Sequence, residues 1–259
     1  MASFIGTAVL VGGAIGIAKA YGNTKNPKQN GESASASQHD AYKDGLLSSK
    51  EIANMACVNP NQGDCLNQTG ALYVADYPDR QKALVLLQRM ESILKALHRR
   101  FLYVLENINA QNPRYRLQWA NSQGLWARDV ADLDWQLKHI RTFVNRVQNI
   151  SIGEVIRQSH TDFTSYTLEK KDLSMCLRDR QTNQLYADNL ITYVFLHELG
   201  HVMSPSFGED SHDENFVRCF RVMLNMALYL NLYIEVDYSQ KPVNYCGGVY
   251  LNSTVWSRS

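Results

Sequence analysis

Residues 189–204 read NLITYVFLHELGHVMS. Ile191, Phe195, Leu199 and Val202 recur at steps of three and four, the period of one helix face. Asp188 or Asn189 is placed to cap the start of this helix, and Ser204-Pro205 ends it. His197 and His201 lie four residues apart, about 40° around the helix and roughly 6 Å along it, so both imidazoles reach one ion. Glu198 is rotated about 100° from His197, too far to complete that ligand set but able to hold a water bound to the metal. This pattern is what a zinc peptidase needs: Zn2+ acidifies the water and polarises the scissile carbonyl, while the carboxylate carries the proton. Two core histidines and a glutamate on so apolar a segment are costly to bury without such a partner.

A peptidase zinc takes a third protein ligand and keeps the fourth position for water. Past Gly208 the candidates are Glu209, Asp210, His212, Asp213 and Glu214. Ser211-x-x-Glu214 has the form of a capping box, which gives Glu214 a structural role and puts His212 in the first turn of a new helix. His212 is therefore the expected ligand, with Glu214 the next candidate. Phe216, Phe220, Met223, Ala227 and Leu230 form the core side of that helix.

Upstream, Phe163–Glu169 and Leu173–Arg178 flank the polar turn Lys170-Lys171-Asp172 and read as an antiparallel hairpin. Between Asp79 and Ala110, Leu87, Met90, Leu94, Leu97, Phe101, Val104 and Ile108 make one long helical seam, expected to pack within the chain. Asn112-Pro113 breaks it, and Leu133, Leu137, Ile140 and Val144 mark a second amphipathic helix from about Asp129 to Val147. Trp119, Trp126 and Trp135 beside Arg114, Arg116 and Arg128 can serve as a stacking platform for nucleic acid, though core or boundary packing is the simpler reading.

The net charge of +1 singles out neither a nucleic-acid binder nor an acidic solvating protein. It is unevenly spread, however. Residues 79–157 carry thirteen Lys/Arg against seven Asp/Glu, and residues 158–259 carry eight against twelve. Five cysteines without regular spacing point to buried or idle thiols in a reducing compartment, with Cys57 and Cys65 the pair able to join in an oxidising one.

Ala2–Ala18 is an uncharged apolar run, which as a helix spans roughly 26 Å, the short end of a bilayer core. Lys19, Lys25 and Lys28 follow it, placing the bulk of the chain on the cytosolic or virion-interior side. Cleavage near Ala18-Lys19-Ala20, or packing of a Gly-rich tail on a partner, are the rival readings. The polar stretch that follows reads as a tether. Four regions result: 1–21, a hydrophobic helix and membrane anchor; 22–49, a flexible linker; 50–157, a helical region; and 158–259, a metallopeptidase core.

His197-Glu198-Leu199-Gly200-His201, a short connector and His212-Asp213-Glu214-Asn215-Phe216 resemble the HExxH…HxxxF pattern of WLM/SprT-like, minigluzincin-type zinc metallopeptidases. The closest resemblance is to the WLM-domain proteins of nucleocytoplasmic large DNA viruses. It extends to Tyr77-Pro78-Asp79, Thr164-Ser165-Tyr166-Thr167, Cys176-Leu177-Arg178-Asp179, and Asp237-Tyr238 through Tyr245-Cys246-Gly247, covering roughly residues 75 to 250. The resemblance implies an α+β, mainly helical zincin-like domain with a small antiparallel sheet whose edge strand takes an extended peptide. It also implies His197, His201 and His212 as zinc ligands and Glu198 as catalytic acid/base. Apart from the resemblance, Tyr238 and Tyr245 are candidates for stabilising the oxyanion, with structural roles the simpler reading.

Three functions follow as expectations. The first is a membrane-tethered viral endopeptidase acting on a protein or peptide substrate. The second is a virion structural protein that keeps the fold as a scaffold between membrane and capsid proteins. The third is a DNA–protein crosslink protease, which rests on analogy and on the basic helical region.

Overall fold

The computed structural model describes residues 17–18, 72–75, 77–155, 165–206, 212–247 and 249–255. Their architecture is α+β and mainly helical. The seam of the first long helix, α1 (Arg80–Asn107), is buried as its spacing predicts, with Leu87, Leu94, Leu97, Phe101 and Val104 wholly inaccessible. Ile108–Ala110 tightens into a 3₁₀ turn. Asn112 then caps the next turn by accepting from the Arg114 amide at 3.0 Å, with Pro113 at a position that needs no N–H. After the short α2 (Arg116–Ser122), Asp129 caps α3 (Val130–Arg146). Leu133, Leu137, Ile140 and Val144 of α3 turn inward, and Phe143 meets Phe101 edge-to-face at 5.6 Å. Trp135 lies between the His139 ring at 4.0 Å and the Arg218 guanidinium at 3.7 Å, a packed boundary position.

The expected hairpin forms as β4 (Tyr166–Leu168) and β5 (Asp172–Met175), antiparallel. The sheet itself is mixed rather than antiparallel. Two strands from the region read as helical, β2 (Leu72–Tyr73) and β3 (Ser151–Glu154), join it in the order β2-β3-β5-β4, with β2, β3 and β5 parallel. The reason is topological: the helices between β2 and β3 form a crossover, and a crossover returns the chain in the same direction. Strands of two and four residues are too short to carry a readable period.

Arg178 fastens this sheet to the start of α1. It donates to Glu154 at 2.7 Å and to Asp79 at 2.6 Å, and its guanidinium lies over the Tyr77 ring at 4.4 Å. Two of the motifs that carry the family resemblance, Tyr77-Pro78-Asp79 and Cys176-Leu177-Arg178-Asp179, thus meet in space.

The second sheet is a hairpin, β6 (Val243–Tyr245) and β7 (Val249–Leu251), with β1 (Ile17–Ala18) antiparallel to β7. At residues 17 and 18 the backbone is therefore strand and not the expected hydrophobic helix, because the β7 edge offers it ladder partners. The rest of 1–21 and the linker 22–49 lie outside the described residues. No described helix is long and apolar enough to cross a membrane.

Cysteine usage also departs from expectation. Cys176, just past β5, is disulfide-bonded to Cys246, just past β6, with a Cα–Cα distance of 5.9 Å across 70 residues of sequence. Only the meeting of the two sheets brings them together, which spacing does not reveal. Cys219 is a buried free thiol. Cys57 and Cys65 lie outside the described residues.

Candidate metal centre

The quoted segment folds as α4 (Asp188–Met203). It is buried nearly all round rather than along one face, since α1, α3 and the next helix, α5 (Glu214–Tyr229), all pack on it. Neither expected cap is used, and Ala187 holds that position. Asp188 instead accepts from Arg89 of α1 at 3.2 Å. The Asn189 side chain is engaged with both backbone groups of Ile234.

The start of α5 also differs from the expected capping box. Asp213 is the cap, its Oδ1 accepting from the Phe216 amide at 2.9 Å. His212 stands one residue before that cap rather than in the first turn, and Ser211 lies outside the described residues. Freed from helical geometry, the His212 side chain swings across to α4.

His197, His201 and His212 converge. Their Nε2 atoms form a triangle with sides of 3.1 Å (His197–His212), 3.3 Å (His201–His197) and 3.2 Å (His201–His212). Three neutral imidazole nitrogens cannot satisfy one another this way, because each is either donor or acceptor and at least two must share a role. A tetrahedral zinc with Zn–N bonds of about 2.0–2.1 Å keeps its ligand nitrogens roughly 3.3–3.4 Å apart, close to this triangle. The donor set and its dimensions fit such an ion. Among the described residues, these three are the one group placed to hold a metal.

Burial falls from His197, which is buried, through His201 to His212, which is exposed, so the triangle opens to solvent on one side. Burial and the mutual presence of the rings hold His197 and His201 well below the ordinary histidine range, and desolvation on the side of its ring that meets the other two lowers His212, whose remaining surface faces solvent. All three imidazoles are thus biased towards the neutral form, the form that can ligate a metal. Phe216 stacks on His201 at 4.2 Å and meets His197 and His212 edge-on, so an aromatic floor from α5 fixes the rings. Gly200 permits this approach: a Cβ there would stand 3.1 Å from Phe220 Cβ and 3.2 Å from both Phe216 Cε2 and Phe220 Cα.

Glu198, adjacent in sequence to His197 on α4, is buried. Burial raises its carboxyl to about 7, and a hydrogen bond from Thr167 of β4, 2.6 Å to Oε2, pulls in the opposite direction. Thr167 belongs to the Thr164–Thr167 motif of the resemblance, but nothing local in the sequence shows that it reaches Glu198.

Tyr245 is fully buried, donating to the Cys176 carbonyl at 2.7 Å and sharing a 2.6 Å hydrogen bond with Ser165. Its hydroxyl is pushed up by burial first, with the Glu198 charge among the lesser causes. Tyr238 packs at 4.7 Å on Tyr193 in a buried aromatic group. These contacts give both tyrosines a packing role.

Lys170 and Arg146 were not singled out by sequence. Both donate to backbone carbonyls at the C-terminal end of α4: Lys170 to His201, Ser204 and Ser206, and Arg146 to Val202 and Ser204.

Three viral proteins are similar to part of the chain. Uncharacterized protein R325 of Acanthamoeba polyphaga mimivirus is 37% identical over 110 residues, 42% of this chain and 53% of that protein. Uncharacterized protein 042R of Invertebrate iridescent virus 3 is 36% identical over 87 residues, 33% of this chain and 50% of that protein. Uncharacterized protein 136R of Invertebrate iridescent virus 6 is 33% identical over 84 residues, 32% of this chain and 44% of that protein. The chain thus matches about half the length of these relatives. No protein-family profile matches it. No solved structure matches it either.

Proposed function

We propose that this chain is a zinc-dependent endopeptidase of the WLM/SprT-like kind, with His197, His201 and His212 as metal ligands and Glu198 as the group that moves protons. The observation that carries the reading is the closure of the three Nε2 atoms to within 3.1–3.3 Å, with Glu198 buried on the helix that carries two of them, adjacent in sequence to His197. Zinc bound there supplies a Lewis acid and an acidified water. Glu198, with a carboxyl near 7, is poised to accept a proton at neutral pH and return it to a leaving amine. Thr167 holds that carboxylate in place.

The expected substrate is an extended peptide lying along the outer edge of β4, the last strand in the sheet order. Tyr166 and Leu168, both exposed on either side of Thr167, offer apolar surface to it. A viral setting is part of the proposal and draws on the mimivirus and iridescent-virus relatives. A membrane tether through residues 1–21 draws on the sequence alone, and the pairing of Ile17 and Ala18 with β7 counts against a continuous helix over that whole range.

The test is zinc content and cleavage of varied peptide and protein substrates by the full chain. Glu198→Gln is expected to retain one zinc per chain and to lose cleavage. Zinc bound with no cleavage by the wild type, across all substrates, would favour the scaffold role instead. Carbonate extraction of membranes, with and without residues 1–22, tests the tether, and complete release of the intact chain would remove it.

A further inference from the structure

The β4–β5 turn holds a buried cation where a solvent-facing one is the rule. Leu168 to Lys171 forms a β-turn, the Lys171 amide donating to the Leu168 carbonyl at 3.0 Å, within the three-residue loop left by the Leu168–Asp172 pairing. Both central residues are left-handed, Glu169 at φ 49° and Lys170 at φ 59°. Two left-handed residues in succession favour Asn and Gly, and a side chain on each strains the backbone. Yet the Lys170 side chain does not reach for solvent. It is 6% exposed, and its ammonium donates to the carbonyls of His201 (2.7 Å), Ser204 (2.5 Å) and Ser206 (2.9 Å).

Those three carbonyls trace the path between two metal ligands. His201 is the second ligand, Ser204 the residue that ends α4, and Ser206 the first part of the connector to His212. The Ser206 side chain in turn bonds the carboxylate of Asp213, the residue next to His212 and the cap of α5. Ser204 is held in extended backbone by the following Pro205, so the helix cannot continue and its last carbonyls need outside donors. An ammonium carries three donors, each free to point at a different carbonyl. Arg146 covers Val202 and shares Ser204 but does not touch His201 or Ser206.

We propose that Lys170 is a positioning residue for the metal centre: by gripping the end of α4 and the start of the connector together, it fixes the spacing of His201 and His212. The inference rests on the reading of the three histidines as ligands. Lys170 itself touches neither metal nor substrate. The strained turn is maintained because that register delivers the ammonium to these carbonyls.

Two variants of the full chain separate this role from simple stability. Lys170→Met removes the donors and keeps the stem. The double change Glu169→Asn with Lys170→Gly removes the clamp but installs the preferred turn, so its metal-free unfolding temperature is expected to stay at or above that of Lys170→Met. Zinc affinity is measured by competition with a chromophoric chelator, and ligand geometry by the visible absorption of the cobalt(II)-substituted protein. Both variants are expected to bind zinc 10- to 100-fold more weakly than wild type, as for groups that orient metal ligands, with an altered cobalt spectrum. Wild-type zinc affinity and an unchanged cobalt spectrum in either folded variant would overturn the clamp and leave the three-histidine reading intact. Failure of the wild type to bind zinc or cobalt would overturn both.

Discussion

The Thr167 hydroxyl donates to Oε2 of Glu198 at 2.6 Å, across 31 residues of sequence and from a sheet edge to a buried helix. The carboxylate that sequence identifies as the proton carrier is therefore held by a strand that sequence reads only as half of a hairpin.

Replacing Thr167 with Val keeps the shape and removes the donor. That hydrogen bond lowers the Glu198 pKa against the raising effect of burial, so its loss moves the pKa further up. Zinc content is expected to stay at one per chain. Peptidase kcat/KM at pH 7 should fall about tenfold, and the acid limb of the pH–rate profile should shift to higher pH. An acid limb that stays where it was would separate Thr167 from catalysis.

The Cys176–Cys246 disulfide closes a loop of 70 residues, which in a chain-entropy account stabilises the fold by about 4 kcal/mol. Paired replacement of Cys176 and Cys246 by Ser should lower unfolding stability by roughly 2–5 kcal/mol, read from denaturant midpoints. Mass spectrometry of the unreduced digest should show the two peptides joined.

His98, His139, His197, His201 and His212 all have lowered pKa values, with burial the first cause in each. Each binds its proton more weakly folded than unfolded, so the unfolded chain takes up more protons as pH falls below the ordinary histidine value near 6.5. The metal-free protein should therefore be most stable above about pH 6.5 and lose stability as pH falls from there towards the lowered folded values. Urea midpoints of the chelated protein between pH 8 and pH 5 test this. Glu198, raised to about 7, works in the opposite direction over the same window, so the profile is compared in the Glu198→Gln variant, where a flat line would contradict the burial of these rings.

Gly200→Ala places a methyl group about 3 Å from Phe220 and Phe216. Because one contact is to the Phe220 backbone, α5 must move by a few tenths of an ångström. A destabilisation of about 1–3 kcal/mol is expected. Weaker zinc binding should accompany it, since His212 precedes α5. Calorimetric unfolding with and without zinc distinguishes the two effects.

Sequence by itself determined the elements that repeat over many turns and the residues whose chemistry is local. The seam of α1, the inner face of α3 and the helix carrying His197, Glu198 and His201 were all legible, because a 3.6-residue period and a four-residue ligand spacing are local properties. The grouping of His212 with the other two histidines was expected as well, though by a capping argument that the structure replaces: Asp213 is the cap, and His212 reaches the other histidines from outside the helix. Tertiary structure alone decided the parallel strands β2 and β3, the Cys176–Cys246 pairing, the Thr167–Glu198 hydrogen bond and the burial of Lys170. Each joins residues 31 to 80 positions apart or depends on a turn whose φ angles the residue types disfavour. Such contacts form only when packing of the sheet and helices offsets the local cost, and no period or spacing along the chain records that balance.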